Sequence, residues 1–438
     1  MYEFYRTKRR YIVYAFLFVF LGIYSLDRLT VSIAGSTISK EMNLGPVGLG
    51  YLFSSYLWLY AICLLPAGAL TDRMGTRRMA AIAAGLWSLF QTLGGFATSA
   101  AMLLLTRLGN GAFEAAANPC AHSTIREWTP RRERGLATAI WFSGAHAVPG
   151  LGAPILAWIV SVYGWRISFI ATGVLGFLWV LGWMLLYKTP EEARWLAPEE
   201  RDMIVRERDF DPPAVAGPGL GYKGLFASST MWGLFVTQAC VNYTAYFYLA
   251  WLPTFLQADF GLTVIQSGAY TAIPYFVSAV MCLVLSYVAD HFLSANAVRG
   301  GKRRIAVALA NIASASVILV PLAGSVNVAM ILLTIAFCGN SFAQTMNFAL
   351  VNDRLRSSGD TGRAYAIFTL GGIGFGMLSP IITGYMVDFT GTYNSALVLI
   401  GLIALLGTVF VLFLTKHPIG DDGEPEEIEE TAALSPSR

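Results

Sequence analysis

Four charged residues stand where charge is costly. Asp27 and Arg28 lie within the apolar stretch 11–34, and Arg107 and Glu114 within 101–124. A charge at the centre of a bilayer costs at least about 2.5–3.5 kcal/mol, so such groups face partners or a water-filled cavity rather than lipid. Arginine keeps its proton and presents a planar fork of donors that matches a carboxylate with two parallel bonds. A carboxylic acid binds and releases a proton as its surroundings change between wet and dry and as cations approach or withdraw. Two bases and two acids could therefore hold an organic anion and couple its movement to a proton. The competing possibility is an ion-pair cluster that only orients the first and fourth spans; four charges where two would lock a helix pair favour a functional site.

The elements that position these groups follow from spacing. Arg107 and Glu114 are seven residues apart, almost two helical turns, which puts them on nearly one face with backbones about 10 Å apart along the axis. Gly109, Gly111, Ala112, Ala115, Ala116 and Ala117 around them are small and let neighbours approach closely, as one wall of a polar cavity requires. The whole chain has the same character. Of its 438 residues 55% are hydrophobic and 13% charged, with a mean hydropathy of +0.57. A soluble protein of this length carries about twice that charge fraction.

Twelve apolar spans follow one another, at 11–34, 47–70, 79–98, 101–124, 135–161, 166–187, 229–257, 263–289, 304–323, 327–350, 362–388 and 393–415. The expectation is an all-α membrane protein of twelve transmembrane helices in two six-helix halves: 1–187, a polar cytoplasmic linker 188–228, 229–415, and an acidic tail 416–438. The first run follows Arg6, Lys8, Arg9 and Arg10 but is too long for a cleaved signal and contains Asp27 and Arg28, so it reads as a retained helix. Of 30 basic residues, Arg28 and Arg107 are intramembrane. Placing both termini and the even-numbered loops on one side leaves only Lys40 and Arg166 opposite, so both termini are expected in the cytoplasm.

The composition excludes other classes. No nucleophile–base pair, metal-ligand cluster or phosphate loop is present, and His122, His146, His291 and His417 are scattered. The cysteines, Cys63, Cys120, Cys240, Cys282 and Cys338, all fall within apolar spans as packing residues. Neither an enzyme nor a nucleic-acid partner is indicated, and no metal or cofactor is expected beyond protons as the coupling ion.

The loop after the second span reads Gly68-Ala-Leu-Thr-Asp72-Arg73-Met-Gly75-Thr-Arg77-Arg78, with a degenerate second copy at Asp290-His291, Arg299, Lys302, Arg303 and Arg304. This resembles the signature loop of the major facilitator superfamily. Its glycines permit a tight turn, and Asp72 can pair with an arginine or a helix N-terminus in a latch that breaks when that side opens. YSLDRLTVSIA in the first span, SSYLWLYAICLLPAGALTDRMG in the second, and Arg107-x-x-x-Gly-x-x-Glu114-Ala followed by Trp128-Thr-Pro130 and Glu133-Arg134 are similar to the anion:cation symporter family. That resemblance covers Tyr11 to Lys416 and implies the major facilitator fold with a site between the halves near mid-membrane. It further implies a proton-coupled symporter of a small organic carboxylate, such as a sugar acid or aromatic acid. Matching positions assign Arg28 and Arg107 to the substrate anion, Asp27 and Glu114 to the proton, and Tyr60 to the substrate.

In the second half the polar candidates are Gln238, Asn242, Tyr243, Tyr246, Tyr275, Asn340, Gln344, Asn347, Thr369 and Ser379, each also suited to an interhelical hydrogen bond. Tyr243, Asn347 and Thr369, with His146 in the fifth span, complete the expected binding set. QACVNYTAYFYLAWLP, 238–253, is similar to the family's broken seventh helix, and Pro253 is expected to interrupt it near its outer end. FTLGGIGFGMLSPIITG departs from the sugar-acid permeases, which leaves room for a less hydroxylated acid. Asn242-Tyr-Thr244 is a glycosylation pattern inside a span, where it is not modified. An anion exchanger or a drug/proton antiporter would share the fold, although two buried arginines argue against cationic drugs. A monomer in a bacterial inner membrane is the expected state.

Overall fold

A computed structural model describes residues 8–130, 133–208, 220–292, 302–355 and 360–419, with the backbone alone at 283, 286, 287 and 289–292. Helix follows helix. In the first half these are α1 (Tyr11–Met42), α2 (Pro46–Met74), α3 (Thr76–Gly94), α4 (Ala100–Glu114), α5 (Ala117–Trp128), α6 (Arg134–Tyr163) and α7 (Trp165–Leu186). Two short helices follow, α8 (Pro198–Arg208) and α9 (Gly221–Ala227). The second half comprises α10 (Ser229–Phe260), α11 (Val264–Phe292), α12 (Arg303–Ser314) with its 3₁₀ continuation Ala315–Leu322, α13 (Val326–Arg354), α14 (Thr361–Gly376), α15 (Leu378–Thr390) and α16 (Asn394–Leu414).

These make twelve membrane-crossing units in two halves of six, with α4–α5 and α14–α15 each forming one crossing. Among the described residues eight crossings are by themselves long and apolar enough to span a bilayer. The fourth falls short because it is split into pieces of 15 and 12 residues around the pair Ala115-Ala116. The first span runs eight residues beyond its expected end, to Met42, and closes on Asn43 in the left-handed conformation. Pro253 does not interrupt the seventh crossing: α10 continues through it to Phe260. A proline in a membrane helix is tolerated when neighbours support the backbone around it, and here Ser32 Oγ on α1 donates at 2.7 Å to the Ala250 carbonyl, next to the Leu249 carbonyl that Pro253 leaves without its helical donor.

The halves meet on the side away from the termini. Ser36 Oγ donates to Gln257 Oε1 (2.6 Å) and Ser54 Oγ to the Met377 carbonyl (2.6 Å). There α2 and α15 touch backbone to backbone. A Cβ on Gly50 would lie 2.5 Å from the Pro380 carbonyl oxygen, and one on Gly384 2.6 Å from that of Pro46. Toward the terminal side α2 barely touches α14, and Ile62 and Leu65 are largely exposed. The molecule is closed at one end and parted at the other.

Polar contacts tie the start of the linker to the first half. Arg10 forms a double bond pair with Glu133 (both 2.9 Å) and reaches Glu200 at 2.7 Å. Glu200, on α8 and 1% exposed, also accepts the backbone N–H groups of Arg9 and Arg10. On the other side of the linker, Asp360 accepts from the N–H groups of Leu220 and Gly221, so α9 is held at the start of α14. Residues 209–219 and 420–438, in the expected linker and acidic tail, lie outside the described residues.

Candidate functional site

The four intramembrane charges converge, but not in the pairing that spacing along one helix suggests. Glu114, the last residue of α4, accepts from Arg28 of α1 through Oε2, at 3.0 Å from Nε and 2.9 Å from Nη2. Arg107 instead donates Nη1 to Gln91 Oε1 of α3 at 2.7 Å. Among the described residues Arg107 Nε and Nη2, Glu114 Oε1 and both Asp27 oxygens are buried without a hydrogen-bond partner. Asp27 lies within electrostatic reach of Glu114, Arg107 and Arg28, with the Thr172 hydroxyl of α7 beside it. A helix-orienting ion pair therefore exists, Arg28 with Glu114, yet it accounts for only two of the four charges. Buried groups left unsatisfied call for a partner.

Aromatic rings frame the cationic side. The Arg28 guanidinium lies 3.7 Å from the Tyr24 ring centroid, 4.4 Å from Tyr56 and 5.4 Å from Tyr60, and Arg107 lies 5.6 Å from Tyr56. Each such face attracts a desolvated cation by about 0.5–2 kcal/mol. Tyr24 precedes Arg28 by four residues and Tyr56 precedes Tyr60 by four, so each pair shares a helix face. Tyr60 also accepts a bond from Asn118 Nδ2 at 3.1 Å. Gly111 permits this closeness: a Cβ there would stand 1.8 Å from the Tyr56 carbonyl oxygen, so α4 rests directly on α2 one turn beyond Arg107.

A narrow crevice, partly open to solvent and with room for little more than a water-sized group, lies between the halves. Arg28, Tyr56 and Arg107 line it from the first half, and Tyr246, Ala250 and Pro380 from the second. A carboxylate entering it would meet two guanidinium groups and an aromatic wall.

The remaining expected residues are placed elsewhere. Asn347 is fully buried and donates to Gln238 Oε1 at 3.1 Å within the second half. Gln344 donates to Asn242 Oδ1 (3.2 Å) and Asn340 to the Val241 carbonyl (2.9 Å). These amides bind α13 to α10. Tyr243 belongs to the apolar core, and neither it nor half-buried Thr369 lines the cavity. His146, on α6, faces the other half at another point, its Nε2 3.5 Å from Ser341 Oγ and its ring 6.5 Å from that of Tyr275.

The signature loop is a turn between α2 and α3. Gly75 adopts φ 79°, where a side chain would be strained, and Gly68 meets no neighbour. Arg77 donates to the Met184 carbonyl on α7 at 2.6 Å. Asp72 and Arg73 are exposed, and among the described residues Asp72 has no hydrogen-bond or ion-pair partner. Of the degenerate second copy, Arg299 and the side chains of Asp290 and His291 lie outside the described residues.

Tyr24, Tyr56 and Gln91 escaped the sequence reading. Gln91 had a signal, a lone amide inside an apolar span; the tyrosines had theirs in their four-residue spacing from Arg28 and Tyr60.

Two helical halves enclosing a charged mid-membrane cavity define a membrane transporter, not an enzyme. The chain belongs to the Major Facilitator Superfamily, whose family model matches residues 15–369. It is 32% identical over 412 residues to the "Probable L-galactonate transporter" of Escherichia coli (strain K12), covering 92% of this chain and 89% of that protein. It is 28% identical to the "Probable galactarate/D-glucarate transporter GarP" of the same organism, over 92% of this chain and 94% of that one. The "Probable sulfoacetate transporter SauU" of Cupriavidus necator is also 28% identical, covering 96% and 97%. The fold is similar to that of a bacterial homologue of the human lysosomal transporter Spinster, inward-facing and unoccupied (TM-score 0.74, 18% identity, 95% and 99% covered). It is likewise similar to a D-xylose–proton symporter (TM-score 0.71, 16% identity, 94% and 99% covered).

Proposed function

We propose that this protein is a proton-coupled symporter that takes up an organic carboxylate, a sugar acid or a related small acid, across a bacterial inner membrane. The observation that carries the proposal is the inequality of the two arginines. Arg28 is neutralised by Glu114, while Arg107 keeps unpartnered donors beside the cavity. A carboxylate docks first on Arg107, to which a bidentate fork is suited. Protonation of Glu114 removes the charge that occupies Arg28, and the second guanidinium then joins in holding the anion. Asp27 adds a second proton acceptor or tunes Arg28. Substrate and proton thus favour each other's binding, as symport requires. The relatives named for galactonate, galactarate/glucarate and sulfoacetate all handle organic anions by name, which supports this class.

The distribution of basic residues supports cytoplasmic termini. In that orientation the parted side faces the cytoplasm, and rocking of the halves around the cavity exposes it to either side. Exposed Asp72 then belongs to a latch that engages when the cytoplasmic side closes.

The test is a thermal-shift screen of purified protein against sugar acids, aromatic carboxylates and dicarboxylates, repeated with Arg107→Ala. A ligand at a hundredfold excess over its dissociation constant stabilises the folded state by about 2.7 kcal/mol. The expected result is a carboxylate hit that vanishes in Arg107→Ala; hits that persist in the variant, or hits from cations alone, overturn the assignment. Uptake into vesicles with and without a proton gradient separates symport from anion exchange.

A further inference from the structure

Gln91 belongs to no motif and does not line the cavity, yet it is the group that Arg107 grips. Its Oε1 accepts from Arg107 Nη1 at 2.7 Å, and its Nε2 donates to Thr172 Oγ1 on α7 at 2.9 Å. Thr172 Oγ1 in turn lies 3.3 Å from the Phe169 carbonyl and within hydrogen-bonding reach of the Asp27 carboxyl, so the relay runs from Arg107 through Gln91 toward a second buried acid. Gln91 is 1% exposed. The helices that carry the relay are tightly apposed. A Cβ on Gly173 would lie 2.1 Å from Thr92 Oγ1, and one on Gly176 1.9 Å from Ser88 Oγ.

We propose that Gln91 is a positioning residue, which ties one arm of Arg107 to α3 so that its Nε and Nη2 remain available to a substrate carboxylate. The proposal rests on Arg107 being the anion site. The choice of an amide has a chemical reason. An amide oxygen satisfies one guanidinium donor without cancelling the charge, whereas a carboxylate at the same place would neutralise the arginine before substrate arrived. An apolar side chain would release Arg107 to Glu114 and Asp27, the two acids within its electrostatic reach. The site then loses its free cation by internal pairing. The relay thus explains why Glu114 pairs with Arg28 and not with the arginine seven residues before it on its own helix.

The experiment measures calorimetric affinities of the purified full chain for L-galactonate, D-glucarate, sulfoacetate and benzoate, together with unliganded melting temperatures. The variants are Gln91→Glu, Gln91→Met, Arg107→Gln and Gln91→Glu combined with Arg107→Gln. Gln91→Glu is expected to weaken binding about tenfold or more while the unliganded melting temperature holds or rises, because an ion pair replaces a bond to a neutral acceptor. Gln91→Met is expected to weaken binding by a smaller factor, and Gln91→Glu to add nothing once Arg107 is removed. Wild-type affinity in both Gln91 variants, with binding abolished in Arg107→Gln, overturns the positioning role and leaves the anion site standing. So does a loss of affinity that only tracks a loss of unliganded stability. Should Gln91→Glu fail to fold, Gln91→Met decides. Retained affinity in Arg107→Gln, or no binding of any of the four probes by wild type, removes the anion site and this proposal with it.

Discussion

The two halves of the molecule differ in the polar groups they bury inside the membrane. In the second half Asn347 is matched with Gln238, Gln344 with Asn242, and Asn340 with a backbone carbonyl, and all of these side chains are uncharged. In the first half four full charges share one region, and Arg107, Glu114 and Asp27 retain buried atoms without partners among the described residues. The second half also keeps buried atoms without a partner among the described residues, Asn347 Oδ1 and Asn311 Nδ2 among them, so the difference is one of charge: neutral amides hold helices together, whereas buried charges without partners hold a place for something that arrives. The difference assigns charge recognition to the first half. To the second it leaves the opposing wall, built from Tyr246, Ala250 and Pro380.

The largest expected effect comes from removing the titratable partner of Arg28. Glu114→Gln should abolish proton-driven accumulation while counterflow exchange of labelled substrate continues; unchanged accumulation would show that Glu114 does not couple the proton. Next comes the seam that closes the far side. Gly50→Val places a side chain against the Pro380 carbonyl, 2.5 Å from the position of its Cβ, where backbone cannot yield as a flexible side chain can. Net transport should stop, and a cysteine introduced at Ser36 should react faster with an impermeant thiol reagent. Protection equal to that of the same cysteine in the parent chain would mean that the seam is not the gate.

Smaller effects divide the cavity wall from the interhelical amides. Tyr246→Ala removes a hydroxyl within hydrogen-bonding reach of Arg28 across the crevice. It should weaken substrate binding by about three- to thirtyfold, corresponding to roughly 0.6–2 kcal/mol for a hydrogen bond to a charged group, with little change in unliganded melting temperature. Asn347→Leu should do the reverse. It costs about 0.6–2 kcal/mol of stability, the range for interhelical hydrogen bonds in membranes, and leaves affinity within about twofold. A large affinity loss in Asn347→Leu would return that residue to the binding site and erase the contrast between the halves.

Much was legible in the sequence because it depends on short stretches. Long apolar runs place helices wherever the bilayer would otherwise leave backbone groups unpaired, and the twelve expected spans all stand as helical crossings. The charges at 27, 28, 107 and 114 were visible against an apolar background, and so was the turn at Gly75, which needs its positive φ. Pro253 shows the limit: its local preference predicts a break, yet the helix continues with Ser32 of another crossing bonded to the Ala250 carbonyl.

What the sequence by itself determined was the number of crossings, the signature turn and the set of buried charges. The tertiary structure decided the pairings: Glu114 with Arg28, Arg107 with Gln91, Asn347 with Gln238, and His146 facing Ser341 rather than the cavity. Hydropathy and turn propensity are properties of neighbouring residues and are read in one dimension. Which donor meets which acceptor depends on the rotation and depth of one helix against another. Those are set where glycines such as Gly111 let backbones touch, between segments far apart in the chain.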